Sequence, residues 1–222
     1  FVLWWQECFL RLPHNMQSSS SSSLPPEDKR SSRGSSTKPL KEYQFKVLVI
    51  GDPCVGKTSI VNRLVHGAFS MHYETTVGVD FALKILRRPD ATVRLQLRDI
   101  AGQERSGTMT RVYYKDAAAA FVVFDLTRWE TLESVRTWKR DLDLKLSSKE
   151  FGYLPAILMA NKSDLPAHPK INEDDLDKFA QEENFAAWFL TSAKCDLNIL
   201  EAAEHITNHM IEREELIQAA ME

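Results

Sequence analysis

Apolar residues along this chain recur in two rhythms, runs of strand length and stripes at helical spacing, and the two alternate from Glu42 onward. EYQFKVLVI, residues 42–50, reads as a buried strand. TSIVNRLVHG after it reads as a helix with Ile60, Leu64 and Val65 on one side. VDFALKIL and TVRLQLRD are strands joined by a short turn at Arg88-Pro89-Asp90, which predicts a hairpin. AAAAFVVFDL is another buried strand, and Thr127-Arg128-Trp129-Glu130 has the capping-box pattern for a helix carrying Leu132, Val135 and Leu142. LPAILMAN, INEDDLDKFAQEEN and AAWFLTS continue the alternation as strand, helix and strand. Asn198 and Glu201 are then expected to cap a terminal helix with the stripe Ile199, Ala203, Ile206, Met210 and Ile217. The order predicts an α/β fold: a six-stranded, mostly parallel sheet with one antiparallel strand, helices on both faces, and ligands at the carboxyl ends of the strands.

The first 41 residues break this rhythm. QSSSSSSLPPEDKRSSRGSSTKP is rich in Ser and Pro with mixed charges, and it cannot bury enough surface to offset its ordering entropy. It is expected to be a disordered extension before a domain spanning 42–218. FVLWWQECFLRLP before it carries Glu7 and Arg11 and lacks the basic start of a secretion signal. Translation is expected to begin at Met16, with residues 1–15 a gene-model artefact. An apolar fraction of 43% supports a core, while no run approaches the roughly 18 apolar residues of a membrane span. A net charge of −3 argues against nucleic acid as a partner. Cys8, Cys54 and Cys195 are too few and too scattered for a disulfide framework or a zinc site, which points to a reducing compartment.

Four short segments fall at strand ends. GDPCVGKTS, Gly51 to Ser59, has the G-x-x-x-x-G-K-[ST] spacing. Its successive N–H groups, from Cys54, Val55 and Gly56 into the helix start, would cradle phosphate oxygens. Lys57 would reach the β- and γ-phosphates, and the Thr58 hydroxyl would ligate Mg²⁺. In DIAGQE, Asp99 can hold Mg²⁺ through water, Gly102 offers an N–H to a γ-phosphate, and Gln103 is placed to orient an attacking water. In Asn161-Lys162-Ser163-Asp164, the aspartate can accept from guanine N1–H and the 2-amino group. Adenine would leave it unpaired, so guanine is selected. Thr191-Ser192-Ala193-Lys194 would present backbone to guanine O6.

With these residues, Tyr43 to Ile211 resembles the Rab family within the Ras superfamily of small GTPases, which have the P-loop NTPase fold. VGVDF, RLQLRD, ERSGTMT, YYKDA and VVFDLT carry the Rab character. HYETTVGVDFALK and DIAGQER look like the branch serving lysosome-related organelles and the trans-Golgi. The resemblance implies a GTP/GDP switch in vesicle traffic that hydrolyses GTP slowly, with effectors, an exchange factor and a GAP as partners. It also implies that Thr76 closes over the γ-phosphate and Mg²⁺, Phe69 packs on guanine, and Tyr73 covers the phosphates. Phe81, position 98 and Tyr113 would form the effector surface.

The chain departs from that pattern in places. Pro53 lies within the phosphate loop and is expected to alter the geometry around Gln103 without abolishing binding. Arg98 stands where Rabs nearly always carry tryptophan, and Ser106 replaces a usual phenylalanine, so changed effector choice is expected. No prenylation cysteine follows Cys195, and the end at Met221-Glu222 is acidic. The expectation is that a lipidated tail is missing, the other reading being a soluble form; membrane attachment would depend on that tail. His205 and His209 read as solvated, Cys54 as an unreactive thiol in a nucleotide-covered loop in preference to a redox-sensitive one, Cys195 as inert packing, and Glu173, Asp174, Asp175 and Asp177 as dipole-matched residues of a helix start. The competing function is a GTP-binding interaction module that barely hydrolyses or cycles.

Overall fold

Alternation along the first strand divides the core in two, because successive strand residues face opposite sides of a sheet. Val47 and Val49 pack with Ile60, Val61 and Leu64 on one side, together with Ile199, Ala203, Ile206 and Met210. Leu48 and Ile50 pack with Leu132, Val135, Trp138 and Leu142 on the other, together with Leu176 and Phe179. Helices therefore cover both faces.

The computed structural model describes residues 40–72, 74–103, 112–146 and 153–221, all within the unit Pro39–Glu222. Its strands are β1 (Lys41–Ile50), β2 (Val79–Arg87), β3 (Ala91–Ile100), β4 (Ala119–Asp125), β5 (Ala156–Asn161) and β6 (Ala187–Leu190). Its helices are α1 (Lys57–His66), α2 (Trp129–Leu146), α3 (Glu173–Glu182) and α4 (Ile199–Met221). The sheet order is β2-β3-β1-β4-β5-β6. Only the β2–β3 pair is antiparallel, closed by the expected turn at residues 88–90. The parallel strands β1, β3, β4, β5 and β6 all end at one edge, which brings the four segments together.

Some local expectations are corrected. The helix α2 begins where the capping-box pattern places it, but Thr127 does not cap it. The Thr127 hydroxyl turns back to donate to Asp125 Oδ1 at 2.7 Å, and the Thr127 N–H donates to the same oxygen at 3.0 Å, so this residue is oriented toward the end of β4. Asn198 has a φ of 54° rather than the extended backbone of an N-cap, and its Nδ2 donates to the Leu190 carbonyl at 2.8 Å. Helix α3 is capped as a helix start should be, with Asn172 Oδ1 accepting from Asp175 N–H at 2.8 Å. Strand β1 starts one residue early, at Lys41, and α4 runs through residues 219–221, past the expected boundary at 218. Cys195 is exposed rather than packed, like Cys54. The N-terminal extension, Met16, Tyr73 and Ser106 lie outside the described residues.

Candidate functional site: a cleft at the strand ends

The loop after β1 can follow its path only with glycine at position 56. Its φ is 96°, and a β-carbon there would lie 2.3 Å from Asn161 Nδ2. That amide donates to the Val55 carbonyl at 2.8 Å, so the segment after β5 holds the phosphate loop from behind. Gly56 is also the N-cap of α1 and has no side chain to satisfy the first helical N–H groups, which open at Lys57, Thr58 and Ser59 onto the cleft. Lys57 is buried, and its Nζ donates to the Gly51 and Asp52 carbonyls at 3.0 and 2.9 Å. Burial pushes its ammonium below the ordinary lysine value, with Asp99 and Asp52 pulling the other way. A cation poised this way is stabilised by an arriving polyanion.

Beside it, three oxygen-bearing side chains from separate segments converge. Thr58 Oγ1 lies 2.7 Å from Thr76 Oγ1 and donates to Asp99 Oδ2. Asp99 is buried at the end of β3, and its other oxygen, Oδ1, has no hydrogen-bond partner. Burial pushes its carboxyl up, against the hydrogen bond from Thr58 and the charge of Lys57. A buried carboxylate oxygen without a partner, next to two hydroxyls, is the donor set a hard divalent cation takes, so these residues fit Mg²⁺.

At the other end, Asp164 is fixed by two neighbours. Ser192 Oγ donates to its Oδ1 at 2.7 Å, and Lys194 Nζ lies 3.8 Å from Oδ2. Ala193 N–H donates to Asn161 Oδ1 at 3.3 Å, and Ser163 N–H to the Thr191 carbonyl at 3.1 Å, joining the last two segments. Arg63 of α1 donates from Nε to the Ala193 carbonyl at 2.8 Å. Between the two ends runs a cleft of about 580 Å³, a volume suited to a small organic ligand. Its lining includes Cys54, Phe69, Thr76, Gly102, Gln103 and Lys162. Gln103 stands exposed at the rim.

Sequence reading missed a strap behind the cleft. Asp125, buried at the end of β4, accepts from Lys162 Nζ at 2.7 Å and Arg128 Nε at 3.0 Å. Burial would raise its carboxyl, yet the bonds from Lys162 and Thr127 hold it below the usual carboxylate range. Arg128 also donates from Nη2 to the Pro53 carbonyl at 3.2 Å, and Trp138 Nε1 donates to Asp52 Oδ1 at 2.9 Å. The one available signal was the position of Asp125 at a strand end, alongside the other four segments.

Away from the cleft, Phe81 and Arg98 face each other across β2 and β3, with the guanidinium 4.2 Å above the ring centroid. Tyr113 is half-buried against the core cluster that includes Leu48, Ile50 and Ile100.

Fold and cleft together define a P-loop nucleotide-binding domain. Residues 46–212 match the model of the Ras family. The chain is 53% identical over 172 residues to human "Ras-related protein Rab-32", covering 77% of this chain and 76% of the relative. It is 49% identical over 176 residues to Rab-32A of Dictyostelium discoideum, covering 78% and 80%. To rat Rab-7L1 it is 46% identical over 183 residues, covering 81% and 89%. The chain belongs to the Rab family of Ras-like small GTPases. It binds guanine nucleotide, hydrolyses GTP and acts in vesicle trafficking, and the reading as a module that barely cycles is not favoured.

Proposed function

We propose that the cleft holds GTP or GDP with Mg²⁺ in one arrangement, with every role assigned to a residue of this chain. The convergence of Thr58, Thr76 and Asp99 around a partnerless buried oxygen carries the reading. These three would hold Mg²⁺, Asp99 through water, and the bound cation would offset charge on the β- and γ-phosphates. The N–H groups from Cys54 to Ser59 and the Lys57 ammonium cradle the phosphates. Asp164 accepts from guanine, Ser192, Ala193, Lys194, Asn161 and Lys162 shape its pocket, and Phe69 packs on the base. Tyr73 covers the phosphates. Gln103 orients the attacking water, while Thr76 and Gly102 read the γ-phosphate and release their segments when it leaves. Unaided turnover is slow because a positive charge at the transferring phosphoryl group must come from a GAP. Phe81, Arg98 and Tyr113 meet effectors, and the protein serves the cytosolic face of trans-Golgi, endosomal or lysosome-related membranes.

Competition binding and single-turnover hydrolysis test this. GTP should outcompete ATP by at least about 10³-fold, chelating Mg²⁺ should speed nucleotide release, and Gln103→Leu should slow hydrolysis about tenfold or more while GDP affinity holds. Equal affinity for ATP, or release indifferent to Mg²⁺, would overturn it.

A further inference from the structure

The outer face of the β2–β3 hairpin carries an apolar column beside a polar one. Phe81, Leu83 and Ile85 are 63%, 49% and 38% exposed. In register across from them stand Arg98, Gln96 and Arg94, and Lys46 of β1 lies on the far side of Gln96. Among the described residues, Arg94 alone of the three cations has a carboxylate within ion-pair distance, Glu42 at 2.7 Å. Among the described residues no acid lies within ion-pair distance of Arg98 or Lys46. Arg98 spends one donor on the neutral Gln96 Oε1 at 3.2 Å, and Lys46 Nζ donates to the Lys115 carbonyl at 2.7 Å. Asp116 acts on Lys46 only from farther off.

A guanidinium has five N–H donors in a rigid plane. Stacking on Phe81 fixes that plane here and leaves a fork of donors open beside exposed apolar surface. Any partner that covers Phe81 also takes Arg98 out of water. Without a counter-charge, the covered cation would cost binding free energy; with a carboxylate, it gains a bidentate ion pair. The same residue therefore attracts acidic partners and rejects neutral ones.

We propose that this face selects a partner protein segment that sets an aspartate or glutamate carboxylate next to an apolar side chain, the carboxylate on the Arg98 fork and the apolar group on Phe81 and Leu83. This rests on the reading of the face as the effector surface. A face built for a neutral aromatic partner, with Arg98 merely laid aside, or for a second copy of this chain would give different results.

The test is selection of random linear peptides displayed on phage against the full chain loaded with a non-hydrolysable GTP analogue, followed by fluorescence-anisotropy titration. Selected peptides should share an acidic position beside an apolar one. Replacing that acid with alanine should weaken binding at least about tenfold to the wild type and leave binding to Arg98→Gln unchanged; Arg98→Lys should recover only part of the affinity. Unaltered GDP affinity of Arg98→Gln shows that the variant is folded. Peptides without acidic enrichment, or an acid-to-alanine cost equal on wild type and Arg98→Gln, overturn the proposal. So does concentration-dependent self-association that blocks the peptides. Equal binding to GDP- and GTP-loaded protein would instead overturn the effector reading, while the Arg98–carboxylate coupling would still stand.

Discussion

The backbone of Gly102 lies against Pro53: a β-carbon at position 102 would fall 2.4 Å from the Pro53 nitrogen and 2.8 Å from its Cδ. The phosphate-loop backbone and the proline ring therefore both press on the segment that leads to Gln103. Pro53→Gly should leave GDP affinity within about threefold and raise GAP-stimulated single-turnover hydrolysis about tenfold, near 1.4 kcal/mol of barrier. Unchanged rates would show that the ring is a bystander.

Gly102→Ala tests the same contact from the other side. The neighbours are backbone and ring atoms that cannot swing away, so the phosphate loop must shift. A cost of about 1–3 kcal/mol is expected in thermal or denaturant unfolding, with GTP affinity falling more than GDP affinity.

Arg128 joins the Pro53 carbonyl to Asp125, which also holds Lys162. Removing it with Arg128→Ala loosens the phosphate loop but leaves Asp125 its lysine. Because the arginine side chain is 42% exposed, the effect is discounted to about 1 kcal/mol or less. Stopped-flow release of a fluorescent GDP should accelerate about three- to fivefold. Release at the wild-type rate would mean that the strap is slack.

Asp164 is held by Ser192 and Lys194 at one end of the cleft, and the proposed function makes it the carboxylate that reads the base. Asp164→Ala should weaken GTP and GDP by about 10³-fold, some 4 kcal/mol, and erase most of the preference over ATP. Melting of the nucleotide-free protein separates this loss from misfolding.

The terminal helix supplies a pH dependence. His205 stacks edge-on against Phe189 with centroids 5.6 Å apart, and its Nε2 lies 3.3 Å from that of His209. Burial, then the neighbouring His209, lower its pKa from 6.5, while Glu212 acts in the opposite direction. The unfolded chain therefore binds this proton more readily, so stability is full above about pH 6.5 and falls as pH drops through the lowered value. His205→Gln should flatten the decline of melting temperature on that acid side. An identical profile in both proteins would exclude His205 as its source.

Most of the sheet was legible because its central strands β4 and β5 are buried on both faces and read as unbroken apolar runs, AAFVVFD and AILMAN, while β3 alternates in the way of a half-buried strand. Many of the cleft residues were legible because they sit at fixed spacings within four short segments, whereas Phe69 and Thr76 came only from the family resemblance. What stayed hidden are contacts that join distant segments. Trp138 meets Asp52 across 86 positions and Arg128 meets Pro53 across 75, and no local pattern marks either pair. The two capping expectations failed for a related reason. Thr127 and Asn198 carry the right side chains, but Asp125 and the Leu190 carbonyl, brought near by the sheet, set their orientation.

Strand β2 lies at the edge of the sheet, bonded to β3 alone, and Phe81, Leu83 and Ile85 are not among the described residues that line the cleft. Substitutions at Phe81, Leu83 or Ile85, and at Arg98 opposite, can therefore accumulate without disturbing phosphate or guanine contacts. Such an edge lets new partners evolve while the hydrolytic clock stays as it was.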